Sequence, residues 1–239
     1  MKYVNFIFVV LLFASCKKDT TIPQRASINI IHATVGIPTL KVNYFGSTII
    51  YAAFTSGPGA LAYGTNTVVS VSPGSTPVTI VSSTDTLNPI YNSPVATSGG
   101  DVYSLYLAGQ STAAEAVLVK ETNIPIHSLT DSTCGIRFIN LSYNSAPVNV
   151  TLSTTTTVNE FTNVAYKSIS DFKSYPAAVV NSTYTFQVRN STGTLLASYV
   201  FTGASTAAVP RFLNVTLAFI GQIGGTGANV PNLVRVNNY

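Results

Sequence analysis

The feature that most constrains this chain is an internal repeat. The stretch "SINIIHATVGIPTLKVNY" (Ser27 to Tyr44) aligns without a gap with "GIRFINLSYNSAPVNVTL" (Gly135 to Leu152). In both copies a short strand of alternating polarity is followed by a polar turn containing proline, and then by a second alternating strand. We therefore expect the chain to build one module twice.

Later parts of the two copies also match, and their patterns favour strands. "LAYGT" (Leu61 to Thr65) resembles "VAYKS" (Val164 to Ser168), and "YSLYLAGQ" (Tyr103 to Gln110) resembles "LNVTLAFIGQIGG" (Leu213 to Gly225). Turn clusters such as "SPGS" and "NSTG" recur at intervals typical of β-sandwiches. One stretch, Thr112 to Glu121, fits either a helix or a strand, and we favour the strand. The patterns predict an all-β fold of two tandem immunoglobulin-like antiparallel β-sandwich domains after a lipoprotein signal peptide.

The repeat and the composition shifts divide the chain into five parts. These are a signal peptide (1–15), a lipid-anchored tether (16–25), a first β-sandwich module (26–121), a linker (122–133) and a second β-sandwich module (134–239). Modules of about 100 residues are large enough to bury their own cores. The linker carries a proline and shows no strand period, so we expect two independently folding sandwiches.

The amino terminus has the order of features of an exported lipoprotein. Lys2 precedes an apolar stretch, Val4 to Ala14, that is shorter than the ~20 residues of a membrane-spanning helix. The small residues that follow lead directly to Cys16, and "FASC" resembles the bacterial lipobox, in which the thiol is acylated. The alternative is an ordinary signal peptide with an incidental cysteine. We expect lipidation at Cys16.

The residues after Cys16 bear on location. Lys17-Lys18-Asp19 resembles the surface-export signal of Bacteroidota lipoproteins, and the alternative is a solvated tether. The rest of the chain has no run of ~18 apolar residues, so no second membrane span is expected. We predict a protein anchored by lipid at the outer membrane or cell surface.

The strand and turn residues resemble a known repeat. A strand, His-Ala-Thr, a proline-bearing turn and an alternating strand resemble the repeat of domain-of-unknown-function family 4397. In the second copy "FTNVAYKSISDFKSYPA" and "AFIGQIGGTG" extend the likeness. The resemblance implies tandem modules of an extracellular bacterial lipoprotein and implies no activity. Family members commonly carry an acidic residue in the second strand, where this chain has Lys41 and Asn149.

Composition excludes some classes of function. Charged residues make up 8% of the chain, against roughly 25% in an average domain. The net charge of +4 is small and scattered, so no nucleic-acid partner is expected. With Cys16 committed to lipid, Cys134 has no disulfide partner, and we expect it to be buried and inert at the start of a strand.

Few residues suit catalysis or metal binding. His32 occupies the repeat position that Asn140 fills in the second copy, which indicates a hydrogen-bonding role in a turn. His127 has Asp131 four residues later, but nothing completes a metal site, so no metal and no cofactor are expected. Five carboxylates are candidates for a glycosidase pair, and no spacing selects two of them: Asp101, Glu115, Glu121, Glu160 and Asp171.

Three triplets resemble a signal for O-glycosylation in Bacteroidota, in which aspartate precedes serine or threonine. They place candidate modified residues at Thr20, Thr86 and Ser132. All three lie in predicted tether, turn or linker positions that an enzyme can reach. Chance is the alternative in a chain so rich in threonine.

The leading hypothesis is a non-enzymatic surface binding or scaffold module with an unknown protein or glycan ligand. The alternatives are a carbohydrate-binding accessory lipoprotein and a glycan- or peptide-cleaving enzyme with its site between the modules. Converging carboxylates in an inter-module cleft favour the enzyme, and an exposed platform of tyrosines favours sugar binding. The tyrosines in or beside strands and loops are Tyr44, Tyr51, Tyr63, Tyr103, Tyr106, Tyr143 and Tyr166.

Lipidation gives a direct test of the amino-terminal interpretation. Cells labelled with a fatty-acid analogue should yield tagged protein, and Cys16→Ala should abolish the tag because the acylated sulfur is gone. Cys134→Ala is the matched control and should leave the label unchanged. Label that persists in Cys16→Ala would show that Cys16 is not the attachment site.

Overall fold

The computed structural model describes residues 24–46, 60–128, 130, 132–177, 183–201 and 211–238, and within these ranges the chain is all-β. The described residues of the first half contain eight strands. They are β1 (Ala26–His32), β2 (Thr39–Asn43), β3 (Ala60–Ala62), β4 (Asn66–Val71), β5 (Gly74–Ser82), β6 (Pro89–Thr97), β7 (Val102–Gln110) and β8 (Ala113–Lys120). The predicted strand within Thr112 to Glu121 is confirmed as β8.

The second half repeats this set. Its strands are β9 (Thr133–Asn140), β10 (Val148–Leu152), β11 (Thr155–Val164), β12 (Lys173–Pro176), β13 (Tyr184–Arg189), β14 (Leu195–Phe201), β15 (Asn214–Ile220) and β16 (Asn232–Asn238). A short 3-10 helix, Gly227–Asn229, precedes β16. In the described ranges no helix has the length and apolar character needed to cross a membrane.

Each half forms two four-stranded sheets with the same strand order. The first half has β4-β1-β7-β8 and β3-β2-β5-β6, and the second has β12-β9-β15-β16 and β11-β10-β13-β14. The predicted fold class of two tandem β-sandwiches is therefore confirmed. The pairs β1–β7 and β9–β15 are parallel, unlike the other strand pairs described. No hairpin joins the members of these pairs, so local patterns did not reveal their direction.

Each sandwich has an apolar core of its own, as the module size predicts. Alternate residues of the strands point inward, and fully buried side chains such as Leu40 and Leu105 fill the first core. Phe138, Phe186 and Phe219 fill the second.

A third apolar cluster lies between the sandwiches. Side chains that would face solvent in a free module are buried here. They are Ile31, Ala33, Tyr106 and Ala108 from the first half and Ile139, Leu141, Ala218, Ile220 and Val236 from the second. Strands β1 and β9 are consequently buried on both faces, a property more usual for central parallel strands. The sheets containing β1 and β9 therefore pack against each other.

Equivalent residues of the two modules meet at this interface. The Gln110 side-chain amide donates to the Gln222 side-chain oxygen at 3.2 Å. The Gly preceding each glutamine has a positive φ, 80° at Gly109 and 91° at Gly221. A Cβ at Gly109 would lie 2.4 Å from the Ala113 carbonyl oxygen, and one at Gly221 would lie 2.3 Å from the Val230 carbonyl oxygen. The matching "AGQ" and "IGQ" motifs thus share a glycine of positive φ, and their glutamines meet across the interface.

The matching tyrosines of "AYGT" and "AYKS" reach across the interface. Tyr63 of the first module lies near the backbone amide of Gly221, and Tyr166 of the second lies near that of Gly109. Burial raises the pKa of each phenol to about 12, and the nearby amide acts in the opposite direction. The contacts are reciprocal, so the modules are related by an approximate two-fold axis.

A buried ion pair also joins the modules. The Arg137 guanidinium donates to both Glu121 carboxylate oxygens, at 2.5 and 2.8 Å, and to the Tyr106 hydroxyl at 3.1 Å. Its Nε donates to the Thr216 hydroxyl at 2.8 Å. The Arg137 and Glu121 side chains are only 6% and 3% exposed. Such a bidentate pair is directional and fixes how the modules are oriented.

The shared layer bears on independent folding. Separating the modules would expose the third apolar cluster and would break the Arg137–Glu121 pair. Independent folding of the two sandwiches stays a prediction, and the buried contacts between the modules argue against it.

The first sandwich has two distinct ends. At one end, here the tether end, the Gly100 amide donates to the Arg25 carbonyl at 3.2 Å, and the β4–β5 turn at residues 72–73 lies nearby. The opposite end, here the distal end, carries residues 83–88 and the β7–β8 turn at 111–112. Strand β5 runs from the tether end to the distal end over nine residues, about 25–30 Å.

The ion pair predicts a specific pattern of stability. Arg137→Met should lower the free energy of unfolding by about 3–5 kcal/mol, because it leaves the Glu121 carboxylate buried without its partner. The double variant Arg137→Met/Glu121→Leu should recover more than half of that loss. Chemical denaturation of each variant measures the effect.

The exposed pair between Lys120 and Asp101 supplies the control for this experiment. Lys120→Met should change stability far less than Arg137→Met, because water already screens that pair. A double variant at Arg137 and Glu121 that is no more stable than Arg137→Met alone would contradict the proposed cause.

Candidate ligand-binding grooves

A cavity of about 590 Å³ lies at the distal end of the first sandwich. Its walls come from the segment between β5 and β6, from the β7–β8 turn and from the turn after β1. The residues that line it are Gly36, Ile37, Ser82, Thr84, Asp85, Asn88, Pro89, Ile90, Ser111, Thr112, Ala113 and Ala114. We call this cavity the distal groove.

The Asp85 carboxylate is held in place by its own turn. One oxygen accepts the backbone N–H groups of Leu87 and Asn88 at 3.1 and 3.2 Å, and the other accepts the Asn88 side-chain amide at 2.8 Å. Aspartate favours turns because it can make such bonds to its own backbone. The Asn88 side chain first, and the two amides after it, lower the pKa of Asp85. The groove thus presents a fixed, ionised carboxylate.

The lining of the distal groove is polar but almost uncharged. Four hydroxyl groups, one primary amide and the Asp85 carboxylate face a space that two isoleucines flank. The hydroxyls of Ser82 and Thr84 are hydrogen-bonded at 2.9 Å. Among the lining residues there is no aromatic side chain, so ring stacking is not what this groove offers. Its donors and acceptors suit a neutral ligand with many hydroxyl groups.

Two further grooves lie along the second module and share Asp171. One, of about 430 Å³, lies where the modules meet and includes Glu121, Arg137 and Phe172. The other, of about 390 Å³, includes Glu160. Three of the five candidate carboxylates, Glu121, Glu160 and Asp171, therefore line these two grooves. The remaining two lie elsewhere, with Asp101 paired to Lys120 at 2.9 Å and Glu115 paired to Lys167 across the module interface.

Two of these three carboxylates have structural partners. Glu121 is bound by Arg137, and Glu160 accepts the Tyr175 hydroxyl at 2.8 Å. Burial, and then Glu160, raises the pKa of Tyr175. Asp171 is exposed. A glycosidase needs one carboxyl group to protonate the leaving group and a second to attack or to activate water. Only Asp171 lacks a described polar partner here.

His32 and Asn140 have the same structural role. The His32 Nε2 atom bonds to the Ile37 carbonyl at 2.9 Å, and its Nδ1 accepts the Thr34 N–H at 3.2 Å, so the proton resides on Nε2. Asn140 likewise accepts the N–H two residues later, from Ser142 at 3.1 Å. Both side chains are fully buried. The predicted hydrogen-bonding role of His32 in a turn is confirmed.

The surroundings of Cys134 and His127 are structural. Cys134 is fully buried as the second residue of β9, so its predicted burial at the start of a strand is confirmed. Burial raises the pKa of its thiol to about 11, which disfavours the reactive thiolate. His127 hydrogen-bonds to Thr133 and Asn214, while Asp131 lies outside the described residues. No group of three metal-binding side chains occurs within the part of the chain that the structure describes.

The predicted modification sites are only partly described. Cys16 and Thr20 lie outside the described residues. Thr86 is half-buried in the turn that Asp85 organises. The Ser132 hydroxyl accepts a hydrogen bond from Arg211 at 3.1 Å. Modification at these sites stays a prediction.

Most of the tyrosines serve packing rather than contact with a ligand. Tyr103 and Tyr106 are buried. Tyr63 and Tyr166 are at the module interface, and Tyr143 packs edge-on against Tyr166. Tyr51 lies outside the described residues. Tyr44 contacts the exposed Phe45 ring in a tilted arrangement. An exposed platform of tyrosines, the feature expected to favour sugar binding, is not formed by the described members of this set.

Comparison with known proteins assigns no family. No protein-family model matches this chain, and no curated protein matches it in sequence. A solved structure described as "Alpha-glucan binding by a streptococcal virulence factor" is similar over 81% of this chain and 93% of its own, at 8% identity and a TM-score of 0.23. A TM-score this low does not establish a shared fold, so neither fold nor ligand is carried over.

The burial of His32 predicts that the free energy of unfolding depends on pH. Burial lowers its pKa from 6.5 to about 4, with the Ile37 bond acting in the opposite direction. The unfolded chain therefore binds a proton first as the pH falls, and stability present above pH 6.5 is lost on the way to pH 4, up to about 3 kcal/mol. His32→Asn should remove this loss between pH 6.5 and 5, as followed by denaturation.

The second module supplies the matched control. Asn140→His should add a loss of the same sign, because the new imidazole would be buried at the equivalent position. If His32→Asn kept the full dependence of the parent chain, another group would be responsible.

Proposed function

We propose that this chain is a lipid-anchored envelope protein that binds a ligand in the distal groove without transforming it. The observation that carries the proposal is the position of this groove. The described chain begins at Gln24 at the tether end, whereas the groove opens at the opposite end of the same sandwich. An anchor at Cys16 would therefore leave the groove pointing away from the membrane.

The ligand class follows from the groove lining. Hydroxyl groups, an amide and a fixed carboxylate match the alternating donors and acceptors of a sugar, and the flanking Ile37 and Ile90 can cover its apolar faces. A strongly charged ligand would meet no basic side chain among these lining residues. We infer a neutral glycan as the ligand, which makes the protein a carbohydrate-binding accessory lipoprotein.

Binding is favoured over catalysis by what the carboxylates do. In the inter-module groove Glu121 neutralises Arg137, and in the neighbouring groove Glu160 bonds to Tyr175. In the distal groove Asp85 is the single lining carboxylate, and its turn holds it. Hydrolysis by a carboxylate pair would need a second group beside it. The block of two joined sandwiches instead gives a rigid support for a recognition surface.

The groove is tested with a glycan array. The probe is the chain from Lys17 onward, which lacks the lipid, and bound glycans are followed by calorimetry. Asp85→Asn and Asn88→Ala should each weaken binding about tenfold, because each removes a hydrogen bond to the ligand. Asp101→Asn makes the same charge change at the tether end and should leave affinity unchanged.

The opposite outcomes are also specific. Glycan affinity that is unaffected by both groove variants would place the ligand elsewhere. Turnover of a glycan or peptide that Asp171→Asn abolishes would favour the enzyme with an inter-module site.

A further inference from the structure

An aromatic surface at the tether end has no role in the proposed glycan site. The rings of Tyr44 and Phe45 are in contact, with centroids 4.3 Å apart and planes tilted by 31°, and Phe45 is 64% exposed. Pro73 and Pro77 extend this apolar surface, and Arg25 borders it. We call these five residues the aromatic patch. They surround a shallow cavity of about 310 Å³ whose lining residues include no acidic side chain.

Arg25 is fixed at the edge of the patch. Its Nε donates to the Ser70 hydroxyl at 2.8 Å, and one terminal nitrogen donates to the Ser70 carbonyl at 2.6 Å. The residue is nevertheless exposed, so the guanidinium keeps donors that can reach an anion. An aromatic ring pair next to an exposed cation matches the headgroup region of a bilayer, where rings sit between water and hydrocarbon and arginine binds phosphate.

The length of the preceding chain places this patch near the membrane. Seven residues lie between Cys16 and Gln24, and the eight Cα–Cα steps allow at most about 29 Å even when fully extended. Lys17 and Lys18 within this segment add positive charge that favours an anionic surface. An anchored chain therefore cannot carry the patch far from the lipid.

We propose that the aromatic patch rests on the phospholipid headgroups and holds the two sandwiches upright on the membrane. The proposal rests on lipid anchoring, which is part of the proposed function. In this pose the ring of Phe45 enters the interface and Arg25 contacts lipid phosphate. Because β5 runs from the patch to the distal end, the glycan groove is then held about 25–30 Å above the surface.

Because this chain contains no tryptophan, the fluorescence of one introduced tryptophan reports on its position alone. Phe45→Trp places a single indole in the patch, and Leu87→Trp places one at the distal end, where Leu87 is 88% exposed. Each lipidated full-length variant is reconstituted into vesicles of phosphatidylethanolamine and phosphatidylglycerol that contain brominated acyl chains. Bromine quenches only an indole at the bilayer. We expect at least threefold quenching for Phe45→Trp and little for Leu87→Trp.

A second arm separates this proposal from the anchoring itself. The chain from Lys17 onward carries an amino-terminal hexahistidine tag and is held on nickel-chelating lipids in the same vesicles. Quenching of the Phe45→Trp indole in this arm supports contact between the aromatic patch and the lipid. If native Cys16 proves unmodified while this quenching is observed, only the proposed anchoring is wrong. An unquenched Phe45→Trp indole on tag-anchored chains, or equal quenching at both positions, overturns the proposal.

A competing occupant would also show in this experiment. If the patch instead bound a sugar or a protein, the Phe45→Trp indole would stay unquenched by lipid on anchored chains. Arg25→Gln should reduce the quenching of the tag-anchored Phe45→Trp chain in anionic vesicles and should have little effect in neutral phosphatidylcholine vesicles. Equal effects in both vesicles would contradict the role given to Arg25.

Discussion

Arg137 extends from the second sandwich toward the first and places its guanidinium against Glu121 and Tyr106, where almost no water reaches it. Around this pair the outer faces of β1 and β9 form a buried apolar layer. Separating the pair would leave each charge buried without its partner, so the pair favours this relative arrangement of the modules. The groove lined by Glu121, Arg137 and Phe172 depends on that arrangement, because both modules contribute to it.

Matching residues of the two repeat copies have equivalent roles at the interface between the modules. Tyr63 and Tyr166, like Gln110 and Gln222, are matching residues that meet reciprocal partners across an approximate two-fold axis. The two modules therefore pack like the two subunits of a symmetric dimer joined in one chain. Where the copies differ, as at Asn29 and Arg137, the interface gains the asymmetric ion pair. The matching motifs thus maintain the contact between modules as well as each module's own fold.

Once the modules are joined, the first sandwich presents two chemically different ends. The tether end combines exposed aromatic rings with Arg25, whereas the distal end combines hydroxyls, an amide and the Asp85 carboxylate. The first set suits a lipid surface and the second suits a hydrated, neutral ligand. In a chain that is only 8% charged, this separation of chemical groups makes the two ends of the first sandwich distinct. The proposed anchoring and the proposed recognition then lie at opposite ends of the same strands.

Period-two patterning and the repeat by themselves determined the all-β class, the two sandwiches, strand β8 and the role of His32. These features depend on local alternation and on residues at matching positions, which a sequence displays directly. Tertiary structure alone decided that β1 and β7 run parallel, that Tyr63 and Tyr166 face the other module, and that the distal groove forms around Asp85. Each of these features depends on contacts between residues far apart in the chain. Alternation distinguishes the inner face of a strand from its outer face, but it does not indicate which residues will cover the outer face.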